Sequence, residues 1–241
     1  MDSSIVYLRV NRVSREVCAA ARDVTVSDLH EAMGVATARA GLMSPQMRPL
    51  NRGLRIAGPA VTAHCAPGDN LMMHRALYLA EPGDVLVVVV TGENSGAQWG
   101  DVAARYALQK GLAGVIVQGP IRDTDALTEL RFPVWSTAIS PIRPVKEGHG
   151  MVNVPVSCGG VIVNPGDLIV ADGDGVICVP REDAKEAVSG ARARLDREDS
   201  IAQAIRNGKS PWELAKMDDN YQALGVREVD AAYDGRTETR R

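Results

Sequence analysis

Between residues 85 and 139 the chain alternates at short intervals between β-branched apolar runs and stretches with helical spacing. The run VLVVVV at 85–90 is apolar at every position. Such a strand hides both faces, as central strands of a parallel sheet do. Residues 100–110, within WGDVAARYALQKG, then read as a helix ended by Gly111. Residues 113–117 are again strand-like, 123–130 suit a short helix, and 133–139 return to strand. Parallel strands need crossover connections, and helices supply them. The expected core is therefore α/β, with parallel strands.

Around that core, 55–65 reads as a strand and 71–80 as a helix, with turns at Pro67-Gly68-Asp69 and Pro82-Gly83-Asp84. A third such turn stands at Pro165-Gly166-Asp167, in unrelated flanking sequence. Turn chemistry explains all three, with Pro setting φ and Gly supplying positive φ. Near the N-terminus, 14–23 and 27–33 read as helices capped by Ser14 and Ser27. Beyond Gly150 the pattern changes to short strands at 152–156, 160–163, 168–171 and 176–179, with no helix between them. Antiparallel hairpins or a small barrel closing one side of the sheet are expected there. A long helix over 181–206 follows, and Ser210-Pro211 opens a last helix on which Trp212 and Leu214 can dock. No low-complexity linker divides the chain, so a single domain over 1–241 is expected, its C-terminal helices (about 181–230) packing on the core or on a neighbouring subunit.

Composition excludes several function classes. Hydrophobic residues make up 45% of 241 positions, but aromatics only 4%, so Val, Ala, Leu and Ile must fill the interior. A net charge of −3 without a basic run argues against a nucleic-acid partner. The four cysteines form no CxxC pair, which points to buried free thiols in a reducing compartment. The first residues lack the features of a signal peptide, and no apolar run reaches membrane-spanning length. A cytoplasmic protein with no membrane partner is expected.

The chain has no GxSxG elbow, no GxxxxGK[ST] loop and no strand-coupled GxGxxG. ADGDGV, with Asp172 and Asp174, begins like a calcium loop but lacks the later ligands, and a hairpin turn suits it better. His74, His30 and Glu31 carry no pattern beyond a helical position, and Met33, Met72 and Met73 suit core filling. Two features at element ends remain. Gly100-Asp101 stands at a helix N-terminus, where Asp101 either caps the helix or borders an amide nest for a carboxylate. Arg122-Asp123 stands just beyond the strand that Gly119-Pro120 is expected to end, either as a surface ion pair or as an anion-binding cation beside a metal-binding carboxylate. Adjacent parallel strands would bring both features to one edge of the sheet.

Six stretches in order, HEAMG, PGDNLMMH, WGDVAA, GPIRDTDAL, FPVWSTAIS and NPGDLIVADGDGVICVP, resemble the RraA-like family. Within it the chain looks closest to the class II pyruvate aldolases that cleave 4-hydroxy-4-methyl-2-oxoglutarate and 4-carboxy-4-hydroxy-2-oxoadipate, enzymes of aromatic degradation. The resemblance implies an α/β/β/α sandwich with a mixed sheet or small barrel flanked by helices. It implies a lyase that binds Mg²⁺ or Mn²⁺, with Asp123 as direct ligand and Asp101 holding the metal through water. Arg122 would contact the pyruvyl group, and the amides of Gly100, Asp101, Val102 and Ala103 would receive the substrate carboxylate. Glu198 falls where the family places an acid that reaches the metal through water from a neighbouring subunit, in a homotrimer or homohexamer. Oxaloacetate decarboxylation would accompany cleavage, since both reactions pass through the enolate of pyruvate. One departure is Gln118-Gly119-Pro120, where the family often has Asp-Gly-Gly or Asp-Ala-Gly. The alternative that the family offers is a protein-binding regulator of ribonuclease activity.

Overall fold

Val85, Val87 and Val89 face one hydrophobic cluster, while Leu86, Val88 and Val90 face another, so the apolar run is a strand buried on both sides. A computed structural model of the chain describes residues 4–34, 41–90, 92 and 96–232, apart from the side chains of Asp196, Glu198 and Asp199. Its strands are β1 (Ile5–Val6), β2 (Arg48–Pro49), β3 (Ile56–Cys65), β4 (Val85–Val90), β5 (Gly114–Ile121) and β6 (Val134–Ile139). They continue with β7 (Gly150–Val152), β8 (Val156–Cys158), β9 (Val161–Val163), β10 (Leu168–Ala171) and β11 (Val176–Val179). The helices are α1 (Arg15–Ala21), α2 (Val26–Ala32), α3 (Leu71–Leu79), α4 (Asp101–Lys110), α5 (Thr124–Leu130), α6 (Ala184–Arg206), α7 (Pro211–Leu214) and α8 (Met217–Ala223).

Strands β3, β4, β5 and β6 run parallel in that order. β2 adds to β6 antiparallel, and β7 flanks β3 antiparallel with β1 outside it. β3 is ten residues long and serves two neighbourhoods. Ala60 to Cys65 pair with β4, whereas Ile56 to Pro59 pair antiparallel with β10 of the β10–β11 hairpin. The hairpin β8–β9 stands apart as a second small sheet.

The core follows this layering. On one face of the sheet, Val61, Leu86, Val88, Val115 and Val117 pack with Met73, Ala76 and Leu77 of α3, Ala103, Ala104 and Ala107 of α4, and Leu127 of α5. On the other face, Val85, Val87, Val89 and Ile116 pack against the strands Val156–Cys158, Val161–Val163 and Ile169. The far side of β10 and β11, through Leu168, Val170, Ile177 and Val179, meets Ala21 of α1, Leu29 of α2, and Ala184 and Val188 of α6. The layers therefore read helix, sheet, sheet, helix, and the mixed sheet matches the expected fold. Each fully buried Val or Leu contributes about 1.5–3 kcal/mol to this packing. All four cysteines are free and buried, and burial pushes the Cys65 and Cys158 thiols up to about 12.

The chain divides into two compact units, Met1–Leu195 and Asp196–Arg241. In the second, Ser210 and Glu213 form a reciprocal capping box with Pro211 at the first helical turn. Trp212 packs edge-on against Tyr221 and donates its Nε1–H to Asp218 at 2.8 Å. Among the described residues, no helix is long and apolar enough to cross a membrane.

Four local readings change. Thr25, not Ser27, caps α2, because Thr25 and Asp28 close a capping box; the Ser27 hydroxyl instead donates to Asp174. Gly119-Pro120 does not end β5, which continues to Ile121 through a register shift that absorbs the missing proline N–H. The span 152–156 is split between β7 and β8 by Asn153, which turns the chain at φ 56°. The helix expected from residue 181 starts at Ala184, with Arg181 tied back through its N–H to Asp167.

Candidate functional site

Two segments leave the same edge of the sheet side by side. Beyond β4 the chain returns as Gln98, Trp99 and Gly100, and β5 ends at Ile121 and continues as Arg122 and Asp123. Gln98 N–H donates to the Pro120 carbonyl at 2.8 Å, and Arg122 N–H to the Trp99 carbonyl at 3.0 Å. These bonds continue the parallel pairing beyond the end of β4 and tie the two segments together.

Asp123 is in the left-handed conformation, φ 57° and ψ 39°. Asp tolerates that region better than most residues, at a cost of about 1–2 kcal/mol. It occupies the N-cap position of α5, yet its side chain makes no capping bond. The carboxylate turns instead toward α4, where Oδ2 accepts the Asp101 N–H at 3.3 Å and faces Arg122 Nε at 3.3 Å. Both side chains of this ion pair are 36% exposed, so they are open to a ligand but not free in solvent.

Gly100 precedes α4 in an extended conformation that any residue can adopt. What the position demands is space. A Cβ there would lie 2.6 Å from Asp123 Oδ2 and 3.2 Å from Arg122 Cγ. Val102 and Ala103 follow in the first turn, where amides have no intrahelical acceptor and point at whatever lies beyond the helix end. Asp101, in the same turn, meets Arg105 at 3.5 Å across one helical turn.

These groups line one cavity of about 390 Å³. Gly100, Asp101, Val102, Ala103, Arg122 and Asp123 form part of its wall, with Met73 and Trp99 beside them. Asn70, His74, Arg143 and Lys146 add to the polar lining. Burial and the neighbouring Lys146 push the His74 imidazole below its ordinary range, against an opposing pull from Asp69. His74 is therefore neutral near pH 7. Asp101, Arg122 and Asp123 also border a second, more open recess.

Among the described residues no group of three His, Cys, Asp or Glu could hold a metal ion. Asp101 and Asp123 supply two carboxylates, a set that suits Mg²⁺, which keeps several waters and takes one or two protein carboxylates. The contacts that engage Asp123 fall on Oδ2, and the residue borders the cavity. Glu198 belongs to α6, and its side chain lies outside the described residues.

Other candidates fall elsewhere. Glu31 pairs with Arg194, and Met73 is fully buried in the core while also bordering the cavity. Asp172 closes the hairpin turn by accepting the Asp174 N–H at 2.9 Å, and also accepts the Val26 N–H. Gln118 Oε1 accepts the Gly159 N–H at 2.6 Å, so its side chain holds the β8–β9 hairpin. Sequence reasoning missed Arg143 and Lys146, which lie in an aperiodic segment with no pattern to single them out.

The chain is similar to several known proteins. Residues 26–178 match the RraA-like family, described as Aldolase/RraA. A protein of Halalkalibacterium halodurans, provisionally named a 4-hydroxy-4-methyl-2-oxoglutarate aldolase, is 38% identical over 163 residues, covering 68% of this chain and 78% of its own. The 4-hydroxy-4-methyl-2-oxoglutarate aldolase of Thermus thermophilus is 38% identical over 125 residues, 52% of this chain and 73% of its own. The crystal structure of Streptomyces coelicolor RraAS2, described as an unusual member of the RNase ES inhibitor RraA protein family, superposes with a TM-score of 0.73 at 31% identity. That match covers 80% of this chain and 99% of the other. With the matched region spanning well over half its length, the chain belongs to the RraA-like family.

Proposed function

We propose that the protein is a divalent-metal-dependent lyase that cleaves a 4-hydroxy-2-oxo diacid into pyruvate and a second 2-oxo acid, with decarboxylation of oxaloacetate as a side reaction. The observation that carries this reading is the convergence of Asp101, Arg122, Asp123 and the first-turn amides of α4 on one cavity. The names of its relatives support the same class.

Asp123 would hold Mg²⁺ or Mn²⁺ directly and Asp101 would hold it through water. When bound, such a hard cation supplies Lewis-acid polarisation of the 2-oxo group. The amides of Val102 and Ala103 would receive the substrate's C1 carboxylate at the positive end of α4. Arg122 would donate to the keto oxygen. As the C3–C4 bond breaks, its electron pair passes toward that oxygen as an enolate, and the guanidinium meets the developing charge. Asp101 would take the proton leaving the 4-hydroxyl, directly or through water. A proton returned to C3 by Asp101 or supplied by water then completes pyruvate. Loss of CO₂ from oxaloacetate delivers the same enolate, so the same residues serve both reactions. We take the active unit to be a homotrimer or homohexamer in which Glu198 of the partner subunit completes the site, as the resemblance implies.

Pyruvate release from 4-hydroxy-4-methyl-2-oxoglutarate or oxaloacetate is expected to fall to background in EDTA and to return with added Mg²⁺ or Mn²⁺. Undiminished release in EDTA would overturn the reading. A further check uses Gly100→Ala. The new methyl must displace the Asp123 carboxylate, so Mg²⁺ affinity measured by titration is expected to drop ~10–100-fold, in the manner of a disturbed metal shell. Since position 100 is extended and lies outside the core, the melting temperature should change little.

The likeness to RraAS2 favours one other reading, a protein-binding regulator of ribonuclease activity. Stoichiometric capture of a ribonuclease, together with no turnover of any 2-oxo acid, would put that reading first.

A further inference from the structure

Part of the cavity wall is cationic and unassigned. Arg143 and Lys146 are exposed, border the cavity, and have no ion-pair or hydrogen-bond partner among the described residues. Both stand in the segment 140–149, which has almost no regular structure of its own. A lysine and an arginine on an unsupported loop would sample many positions, so what fixes this loop matters.

Backbone bonds from the Ala97 N–H to the Ile142 carbonyl and from the Ser140 N–H to the Ile121 carbonyl, both 2.9 Å, hold the first half of this loop. The side chain that fixes its second half is Asp69, which is 2% exposed. Its Oδ2 accepts the N–H groups of Glu147 at 2.5 Å and Gly148 at 2.7 Å, while Oδ1 accepts the Leu71 N–H at 2.7 Å. Two backbone bonds flank it, Val145 N–H to the Gly68 carbonyl at 2.9 Å and Asn70 N–H to the Val145 carbonyl at 3.1 Å. Gly148 allows the approach, since a Cβ there would stand 2.8 Å from Asp69 Cγ. The bond to Leu71 alone would shape the local turn. The two bonds to residues 147 and 148 do something else: they tie down a loop nearly eighty positions away in sequence, beside the start of the helix that carries His74.

We propose that residues 140–148 form a specificity strap, fastened by Asp69, whose Arg143 and Lys146 receive the second carboxylate of a dicarboxylic 2-oxo acid. The proposal rests on reading the cavity as a 2-oxo acid site. In that reading Arg122 and the α4 amides are engaged by the oxo-acid head and Asp101 and Asp123 by the metal. With His74 neutral, the charge left on the cavity wall is that of Arg143 and Lys146, which calls for a second anionic group on the ligand. Asp69 is then a positioning residue, acting through the strap and not on the substrate.

Binding separates this from catalysis. 2-Oxoglutarate and 2-oxopentanoate share a five-carbon chain and differ in the second carboxylate, and neither carries the 4-hydroxyl that the retro-aldol step needs. By isothermal titration with excess Mg²⁺, the unaltered protein is expected to bind 2-oxoglutarate roughly tenfold or more tightly than 2-oxopentanoate, as charge-assisted hydrogen bonds imply. Arg143→Gln combined with Lys146→Met, both at exposed positions, should bring the ratio near one. Asp69→Asn, which loses one acceptor, should lower the ratio several-fold while a melting curve shows the fold intact. A ratio near one in the unaltered protein, or an unchanged ratio in the Arg143→Gln, Lys146→Met protein, overturns the strap. Binding of neither acid overturns the strap and the oxo-acid reading together. The expected ratios in a protein that turns over no 4-hydroxy-2-oxo diacid would uphold the strap and remove the aldolase reaction alone.

Discussion

Asp123→Asn is expected to abolish metal-dependent pyruvate release, with kcat/KM falling by ~10³-fold, as loss of several kcal/mol of charge stabilisation implies. Asparagine is the informative replacement because of the backbone. Position 123 is left-handed at φ 57°, a region that Asn tolerates and Ala does not. Asp123→Ala would therefore lose the carboxylate and add strain of about 1–2 kcal/mol, mixing two effects. The Asn variant keeps the side-chain shape and lets the amide take up one contact of Oδ2. Its melting temperature should stay near that of the unaltered protein, while Mg²⁺ no longer raises activity. Undiminished Mg²⁺-dependent rates in this variant would make the Arg122–Asp123 pair a structural ion pair and nothing more.

The parallel α/β core was readable because the relevant signals are local, whereas the four-layer order came from the family resemblance. The strict alternation of Val85 to Val90 between two clusters follows from the period of two in any strand. Gly111 ends α4 in the left-handed conformation that its position after Lys110 suggested. The nearness of Asp101 to Asp123 also followed, because β4 and β5 are parallel neighbours. What escaped was tertiary. The three Pro-Gly-Asp turns read as generic, and their glycines do take positive φ. Yet Asp69, Asp84 and Asp167 are each nearly fully buried. Two of them accept bonds from distant parts of the chain, Asp69 from residues 147 and 148 and Asp84 from the Arg12 guanidinium, while Asp167 accepts the nearer Arg181 N–H. A turn aspartate that pairs across seventy residues looks, in sequence, like one that faces water. Ser27 misled for a related reason, since Thr25 stood two residues earlier with Asp28 in place to reciprocate. The cationic strap was invisible because recognition of its lysine and arginine depends on where Asp69 pins the loop.

Arg122→Lys is expected to fail nearly as badly as loss of the carboxylate, although it keeps the charge. In the ion pair with Asp123, Arg122 uses Nε, at 3.3 Å from Oδ2. That leaves both terminal nitrogens of the planar fork for a ligand in the cavity. A lysine ammonium is a single point of charge on a flexible stem, and it cannot hold Asp123 and a keto oxygen in two fixed directions at once. If it pairs with Asp123, the developing enolate loses its donor; if it turns to the substrate, Asp123 loses an orienting partner. Loss of one such preorganised donor costs ~10²–10³-fold in kcat. The side chain is 36% exposed, so folding should survive the exchange. The two consequences separate experimentally. Mg²⁺ titration reports on Asp123, and exchange of the pyruvate methyl protons with solvent reports on the enolate without any carbon–carbon cleavage. Exchange should collapse in the lysine variant while Mg²⁺ affinity changes little. Exchange at the rate of the unaltered protein would show that Arg122 only orients Asp123, and the assignment of the guanidinium to the keto oxygen would be withdrawn.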